Sequence, residues 1–189
     1  MEEVCRKILL AIANYKFDTG LGNFQIMINP MFFGNSPIGF FDGAAIVEKS
    51  GIGIMVKISS THCYKAFMAI GQGSNIRVEL MFFWGLLYLC QKLNLQVLYA
   101  TWDSKVVVDW FNEKTSLNVL LLHASKEKVK ELGYFFSFLQ VFHIHSSFNS
   151  QADKLSKIGL SSDIRFLFVE EFEEEEMISS TSYCLFWEI

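Results

Sequence analysis

The chain has 189 residues, of which 51% are hydrophobic and only two are proline. This length and composition exclude a mainly disordered protein and allow one domain with a substantial core plus extensions. The longest apolar run, LMFFWGLLYLC at residues 80–90, is about half the roughly 20 residues that a membrane helix needs, so we expect no membrane span.

Charge and cysteine content indicate an intracellular protein with a polyanionic partner. The net charge of −4 is uneven, because residues 36–160 carry 12 Lys/Arg and 9 Asp/Glu, whereas residues 161–189 carry 1 Arg and 8 acids. A basic middle segment suits a polyanion such as nucleic acid. The four cysteines show no paired spacing, and the N-terminus lacks a signal-like cleavage site. We therefore expect reduced thiols in the nucleus or the cytoplasm, not secretion.

The first elements predicted along the chain are an appendage and three strands. Residues 1–35 are predicted to be an N-terminal extension and linker, with a short helix to about Tyr15. Three segments are predicted to be strands, because each is rich in apolar residues, in part alternating with polar ones: residues 38–47, 51–58 and 62–70. Because their connections are short, these strands must be antiparallel neighbours.

Helices and strands alternate after residue 70. The break GQGS, followed by a cap at Ser74 or Asn75, predicts a long helix to about Leu93. The later segments are, in chain order, a strand at 95–101, helices at 104–112 and 120–136, a strand at 138–145, and a helix at 150–160 capped by Asn149.

This order predicts an α/β fold for residues 36–160. Its core would be a mixed five-stranded sheet, three antiparallel strands and then two parallel strands, flanked by helices. Residues 161–189 contain the run EEFEEEE and are predicted to be a solvated acidic C-terminal extension.

Four acidic residues stand in distinctive settings: Asp42 in FFDGAA, Glu79 in SNIRVEL, Asp103 in ATWDSK and Asp153 in NSQADKLSK. Carboxylates are costly in apolar surroundings unless compensated, and a divalent cation is the usual compensator. Taken singly, the last three acids read as ordinary helix-terminal residues. A mid-strand aspartate such as Asp42 is a poor structural choice. The predicted topology lets all four converge on one edge of the sheet.

The same four blocks resemble ribonuclease H motifs, specifically those of its plant reverse-transcriptase-like, retrotransposon-derived branch. FFDGAA is similar to the strand-one DGA motif, and SNIRVEL to N-x-x-A-E-L, with Val78 in place of alanine. ATWDSK resembles the D-S-K block. HIHSSFNSQADKLSK resembles H-x-x-R-x-x-N-x-x-A-D-x-L-A, with Ser146 in place of the arginine. Each block alone is weak, but the ordered set over residues 38–160 is specific.

The resemblance implies a ribonuclease H-like fold and a monomeric endonuclease that hydrolyses the RNA strand of RNA–DNA hybrids. It implies two Mg²⁺ ions, with Mn²⁺ as a substitute. The implied catalytic residues are His143 and the four metal ligands Asp42, Glu79, Asp103 and Asp153. The implied nucleic-acid contacts are Asn75, Ser104, Lys105 and Asn149.

Two other functions remain open on the same residues. One is a catalytically weak or inactive nucleic-acid-binding module derived from a retrotransposon, which the missing arginine at Ser146 favours. The other is a different nuclease on the same fold, an exonuclease or a transposase. Trp102 could crowd the site or stack on nucleic acid, although core packing is its plain interpretation. A histidine that ends a strand, as His143 does, is also commonly structural.

Overall fold

The computed structural model describes residues 36–71, 75–116 and 122–185. The predicted extension at 1–35 and the cap at Ser74 lie outside these ranges. The strands are β1 (Ile38–Ala45), β2 (Ser50–Lys57), β3 (His62–Ile70), β4 (Val97–Trp102), β5 (Phe138–His143), β6 (Phe166–Glu173) and β7 (Glu176–Cys184). The α-helices are α1 (Asn75–Lys92), α2 (Lys105–Phe111), α3 (His123–Gly133) and α4 (Ser150–Gly159).

All seven strands belong to one mixed sheet with the order β5-β4-β1-β2-β3-β6-β7. The antiparallel pairing of β1, β2 and β3 and the parallel pairing of β4 with β5 are as predicted. The prediction of five strands is wrong, and the order across the sheet differs from the order along the chain. The crossover through α1 returns the chain to β1, beside which β4 lies parallel.

The acidic segment near the C-terminus supplies the two additional strands. β6 pairs antiparallel with β3, and β7 pairs antiparallel with β6. In β6, Leu167 and Val169 are buried at 0% and 3% exposure and alternate with Phe166, Phe168 and Glu170, which are more exposed, as expected for a strand with one buried face. Glu174 and Glu175 have φ values of 50° and 71° in the turn between the strands. The acidic run is therefore part of a hairpin that extends the sheet, and Glu173–Glu176 are exposed to solvent as predicted.

One carboxylate of this hairpin is an internal anchor. Glu171 Oε1 accepts a hydrogen bond from the Tyr64 hydroxyl at 2.7 Å and lies 2.9 Å from His62 Nε2. Its Oε2 accepts from Ser179 Oγ at 2.8 Å. These bonds, that from Tyr64 first, lower the pKa of Glu171. Partial burial, and then the bond to Glu171, raise the pKa of Tyr64 to about 12. Side chains of β3, β6 and β7 are thereby joined.

Helices cover both faces of the sheet. α1 packs on the face where β2 presents Ile52 and Ile54. α4 lies on the opposite face, where β2 presents Gly51 and Gly53. A Cβ atom added at Gly53 would overlap the carbonyl oxygen of Ala152. The glycines therefore let the backbone of α4 touch the sheet directly.

Trp102 belongs to the core. It is 2% exposed, and its ring centroid lies 4.4 Å from that of Phe41 and 5.9 Å from that of Phe83. It packs under α1 and is not accessible for stacking on a nucleic acid. No described helix is long and apolar enough to span a membrane.

Replacement of Gly53 by alanine should destabilise the fold, because the new methyl group would force α4 away from β2. We expect a loss of about 1–3 kcal/mol in the free energy of unfolding, the range typical of overpacked cores. Urea unfolding followed by circular dichroism measures it. Gly133→Ala is the matched control, since a Cβ there would approach only Leu139 Cδ2, at 3.9 Å. Equal stability of the two variants would contradict the close contact.

Candidate active site

Two of the four acids lie at the same level of two neighbouring parallel strands, Asp42 within β1 and Asp103 directly after β4. Phe40 in β1 is in register with Thr101 in β4, and Asp42 and Asp103 each come two residues later. Asp42 faces Gly53 across the β1–β2 ladder, on the side that α4 covers. Both carboxylates therefore lie just beyond the carboxyl end of the β1–β4 pairing, an edge at which α/β proteins commonly bind ligands.

Glu79 reaches this edge from the first turns of α1. Its Oε2 accepts a hydrogen bond of 2.7 Å from Ser104 Oγ, in the segment between β4 and α2. Since Ser104 directly follows Asp103, this bond ties the α1 carboxylate to the end of β4. The hydroxyl that was expected to contact nucleic acid thus has an intramolecular partner in this structure.

Asp153 lies in the first turn of α4, whose start is fixed to β1. Asn149 Nδ2 donates a hydrogen bond of 2.8 Å to the carbonyl oxygen of Phe41. The Asp153 carboxylate accepts from Lys157 Nζ at 2.7 Å. Sequence reasoning did not single out Lys157, although its i,i+4 spacing from Asp153 on a helix was the available signal.

The four carboxylates share one electrostatic environment. Burial, and then repulsion from Asp103 and Asp153, raise the pKa of Asp42 to about 6, against an opposing hydrogen bond from the Gly43 amide. Burial, and then repulsion from Asp103, raise the pKa of Glu79. Burial also raises the pKa of Asp103, to which Asp153 adds repulsion. The structure thus brings together the acids that the sequence separates by more than 100 residues.

The donor set fits a hard divalent cation in its chemistry. All four groups offer carboxylate oxygens, which Mg²⁺ and Mn²⁺ prefer, and a cation would offset their mutual repulsion. As the side chains stand, no three His, Cys, Asp or Glu residues of the described ranges are grouped closely enough to hold a metal ion. A cation shared by these acids would therefore be bound with their side chains rearranged from these positions.

The other predicted site residues differ in their exposure to solvent and in their intramolecular contacts. His143 is exposed at the end of β5, and its Nε2–H donates to the carbonyl oxygen of Asp103 at 3.1 Å. Lys105 is also exposed and forms an ion pair with Asp109. Asn149 is 1% exposed, which does not leave it accessible for a nucleic-acid contact. Asn75 begins α1, and its side chain lies outside the described part of the structure.

Replacement of Asp42 by asparagine should stabilise the metal-free protein at neutral pH. The folded-state pKa of about 6 exceeds the ordinary value of 3.8, so this group's contribution to stability is full below pH 3.8 and is lost as the pH rises through 6. Above pH 6 the charged side chain is unfavourable. We expect Asp42→Asn to gain about 1–2 kcal/mol at pH 7.5, a value discounted for partial exposure.

Thermal unfolding in EDTA at pH 7.5 and pH 5 measures this effect, and the gain should shrink at the lower pH. Asp109→Asn is a control of opposite sign, because its hydrogen bond with Lys105 lowers the pKa of Asp109. A loss of stability in Asp42→Asn at pH 7.5 would contradict the unfavourable burial and repulsion of the Asp42 charge.

Comparison with known proteins identifies the fold. No family model and no curated protein matches the chain. RNase H1 from the halophilic archaeon Halobacterium salinarum NRC-1 superposes with a TM-score of 0.60 at 19% identity, over 67% of this chain and 98% of that one. The N-terminal RNase H domain of a Mycobacterium tuberculosis protein gives 0.62 at 21% identity, over 67% and 94%. LC11-RNase H1, in complex with an RNA/DNA hybrid, gives 0.61 at 18% identity, over 67% and 97%. The chain therefore has the ribonuclease H fold.

Proposed function

We propose that the protein is a metal-dependent endonuclease that hydrolyses the RNA strand of RNA–DNA hybrids. The observation that carries this proposal is the convergence of Asp42, Glu79, Asp103 and Asp153 on one edge of a ribonuclease H fold, with mutual repulsion. That one protein of this fold was solved with an RNA/DNA hybrid supports a hybrid as the partner. Repelling, half-buried carboxylates are a poor arrangement for stability alone, which favours a functional site.

The four carboxylates would hold two Mg²⁺ ions, or Mn²⁺ in their place. When bound, such ions lower the pKa of an attacking water and stabilise the charge on the departing 3′ oxygen. The side chains of the protein orient the site. Ser104 fixes one carboxylate oxygen of Glu79, and Gly43 N–H fixes one of Asp42 at 2.8 Å. His143 is exposed beside Asp103, where an imidazole can pass protons between the site and solvent.

Finer assignments rest on the sequence motifs. We propose that the domain at 36–160 derives from the plant retrotransposon branch of the family, because its four blocks follow that branch's order. We also propose a monomer that acts in a reducing compartment, the nucleus or the cytoplasm. The excess of Lys/Arg over Asp/Glu in this segment supports a polyanionic substrate.

A hybrid with an end-labelled RNA strand tests the proposed reaction. In Mg²⁺ we expect internal RNA fragments that EDTA abolishes. Asp42→Asn should lower the rate at least about 100-fold, because loss of a ligand removes several kcal/mol of transition-state stabilisation. Asp163→Asn is the matched control, since Asp163 is exposed near β6 and should retain the rate. Hybrids left intact in both Mg²⁺ and Mn²⁺ would refute the proposal, and release of mononucleotides from one end would indicate an exonuclease.

A second candidate function is a nucleic-acid-binding module without catalysis. The ion pair between Lys157 and Asp153 favours it, because the lysine competes with a cation for that carboxylate. Such a module should bind the labelled hybrid with an affinity that falls steeply with salt, without cleaving it. Gel-shift titration at two salt concentrations, run beside the cleavage assay, separates the two functions. Metal-dependent turnover would exclude the binding module.

A further inference from the structure

Asn149 connects the two sides of the candidate active site. It lies between a 3₁₀ turn at Ser146–Phe148 and the first residue of α4. Its side chain is 1% exposed, and its Nδ2 donates to the carbonyl oxygen of Phe41 at 2.8 Å. Because Phe41 directly precedes Asp42, this bond fixes the helix start against the peptide that carries that carboxylate.

The same residue also contacts Asp153 through its backbone. The amide of Asp153 donates to the carbonyl oxygen of Asn149 at 3.0 Å, as the first hydrogen bond of α4. Two hydrogen bonds therefore connect Phe41 to Asp153 through a single residue. The glycine contact with β2 sets how closely α4 approaches the sheet, whereas the Asn149 bond sets where along β1 the helix begins.

Within the described residues, the side chain of Asn149 acts on the site through its Nδ2 atom. Its Oδ1 atom is buried and accepts no hydrogen bond from the described part of the chain. The hydrogen bond to the carbonyl oxygen of Phe41 is therefore the contact by which the amide can position the neighbouring Asp42.

We propose that Asn149 is a positioning residue for divalent cations, which holds the backbone segments that carry Asp42 and Asp153 in the relative placement from which both carboxylates can close on a bound ion. The inference rests on the proposed function. Groups that orient metal ligands through a second set of hydrogen bonds raise metal affinity about 10–100-fold. Removal of the Asn149 amide should therefore weaken metal binding more than it disturbs the fold.

A second asparagine provides the matched control. Asn112 follows α2, and its Nδ2 donates to the carbonyl oxygen of Val141 in β5 at 2.9 Å. This is the same kind of bond, from an asparagine at a helix end to a strand carbonyl. None of the four carboxylates is adjacent in sequence to Asn112 or Val141. Loss of the hydrogen bond from Asn112 to Val141 should therefore lower the stability of the protein without changing its metal affinity.

Calorimetric titration of Mn²⁺ and of Mg²⁺ into the full-length protein, without nucleic acid, tests the inference. We expect Asn149→Ala to raise the apparent Kd about 10-fold or more, and Asn112→Ala to leave it within about twofold of the wild-type value. In the cleavage assay, Asn149→Ala should raise the metal concentration needed for half-maximal rate and leave KM for the hybrid unchanged. Thermal unfolding and circular dichroism show that each variant is folded.

The outcomes separate this inference from the proposed function. A wild-type protein that binds metal, with an Asn149→Ala variant that binds it equally well, overturns only the positioning role. Equal weakening of metal binding in Asn149→Ala and Asn112→Ala also overturns it, because the effect would then follow from loss of any hydrogen bond between a helix end and a strand. A wild-type protein that binds neither metal overturns the proposed function and this inference together. If Asn149→Ala does not fold, Asn149→Gln, whose amide is displaced by one methylene, is measured in its place with the same expected weakening.

Discussion

The backbone contact between α4 and β2 is the constraint on which the candidate site depends. Gly51 and Gly53 leave no side chain between helix and sheet, so α4 lies against the strand next to Asp42. Any larger residue there would lift the helix, and Asp153 with it, away from the other carboxylates. The site is thus built from rigid elements, and its loop-borne members, Ser104 and Asn149, fasten those elements to each other.

Burial and like charge act against stability at this edge of the sheet. Asp42 is held where both burial and neighbouring charges oppose its ionisation, and Glu79 and Asp103 share that condition. The surrounding core is apolar, and Trp102 packs there against both Phe41 and Phe83. A rigid core of this kind can hold like charges near each other, because relaxation that would separate them is itself costly.

The acids and the first five strands were predictable because their signals are local: a carboxylate in an apolar run, short turns, and helix starts at fixed spacing. The hairpin β6–β7 was not, because its acidic residues satisfy local rules for a solvated tail. What makes it a strand is contact with residues far away in sequence, such as His62 and Tyr64 with Glu171, 109 and 107 residues apart. The bond from Asn149 to Phe41 spans 108 residues and likewise leaves no trace in local spacing.

The hairpin also changes which part of the sheet is open. With only five strands, β3 would present unpaired amide and carbonyl groups to solvent, a template on which foreign strands can add. Here β6 occupies that position, and the exposed margin becomes β7, whose only charged residue is Glu176. The free strand edge on this side of the sheet therefore lies two strand spacings, roughly 10 Å, farther from the carboxylates than it would with β3 at the edge. Strand addition along β7 would leave the edge that carries the four carboxylates unobstructed.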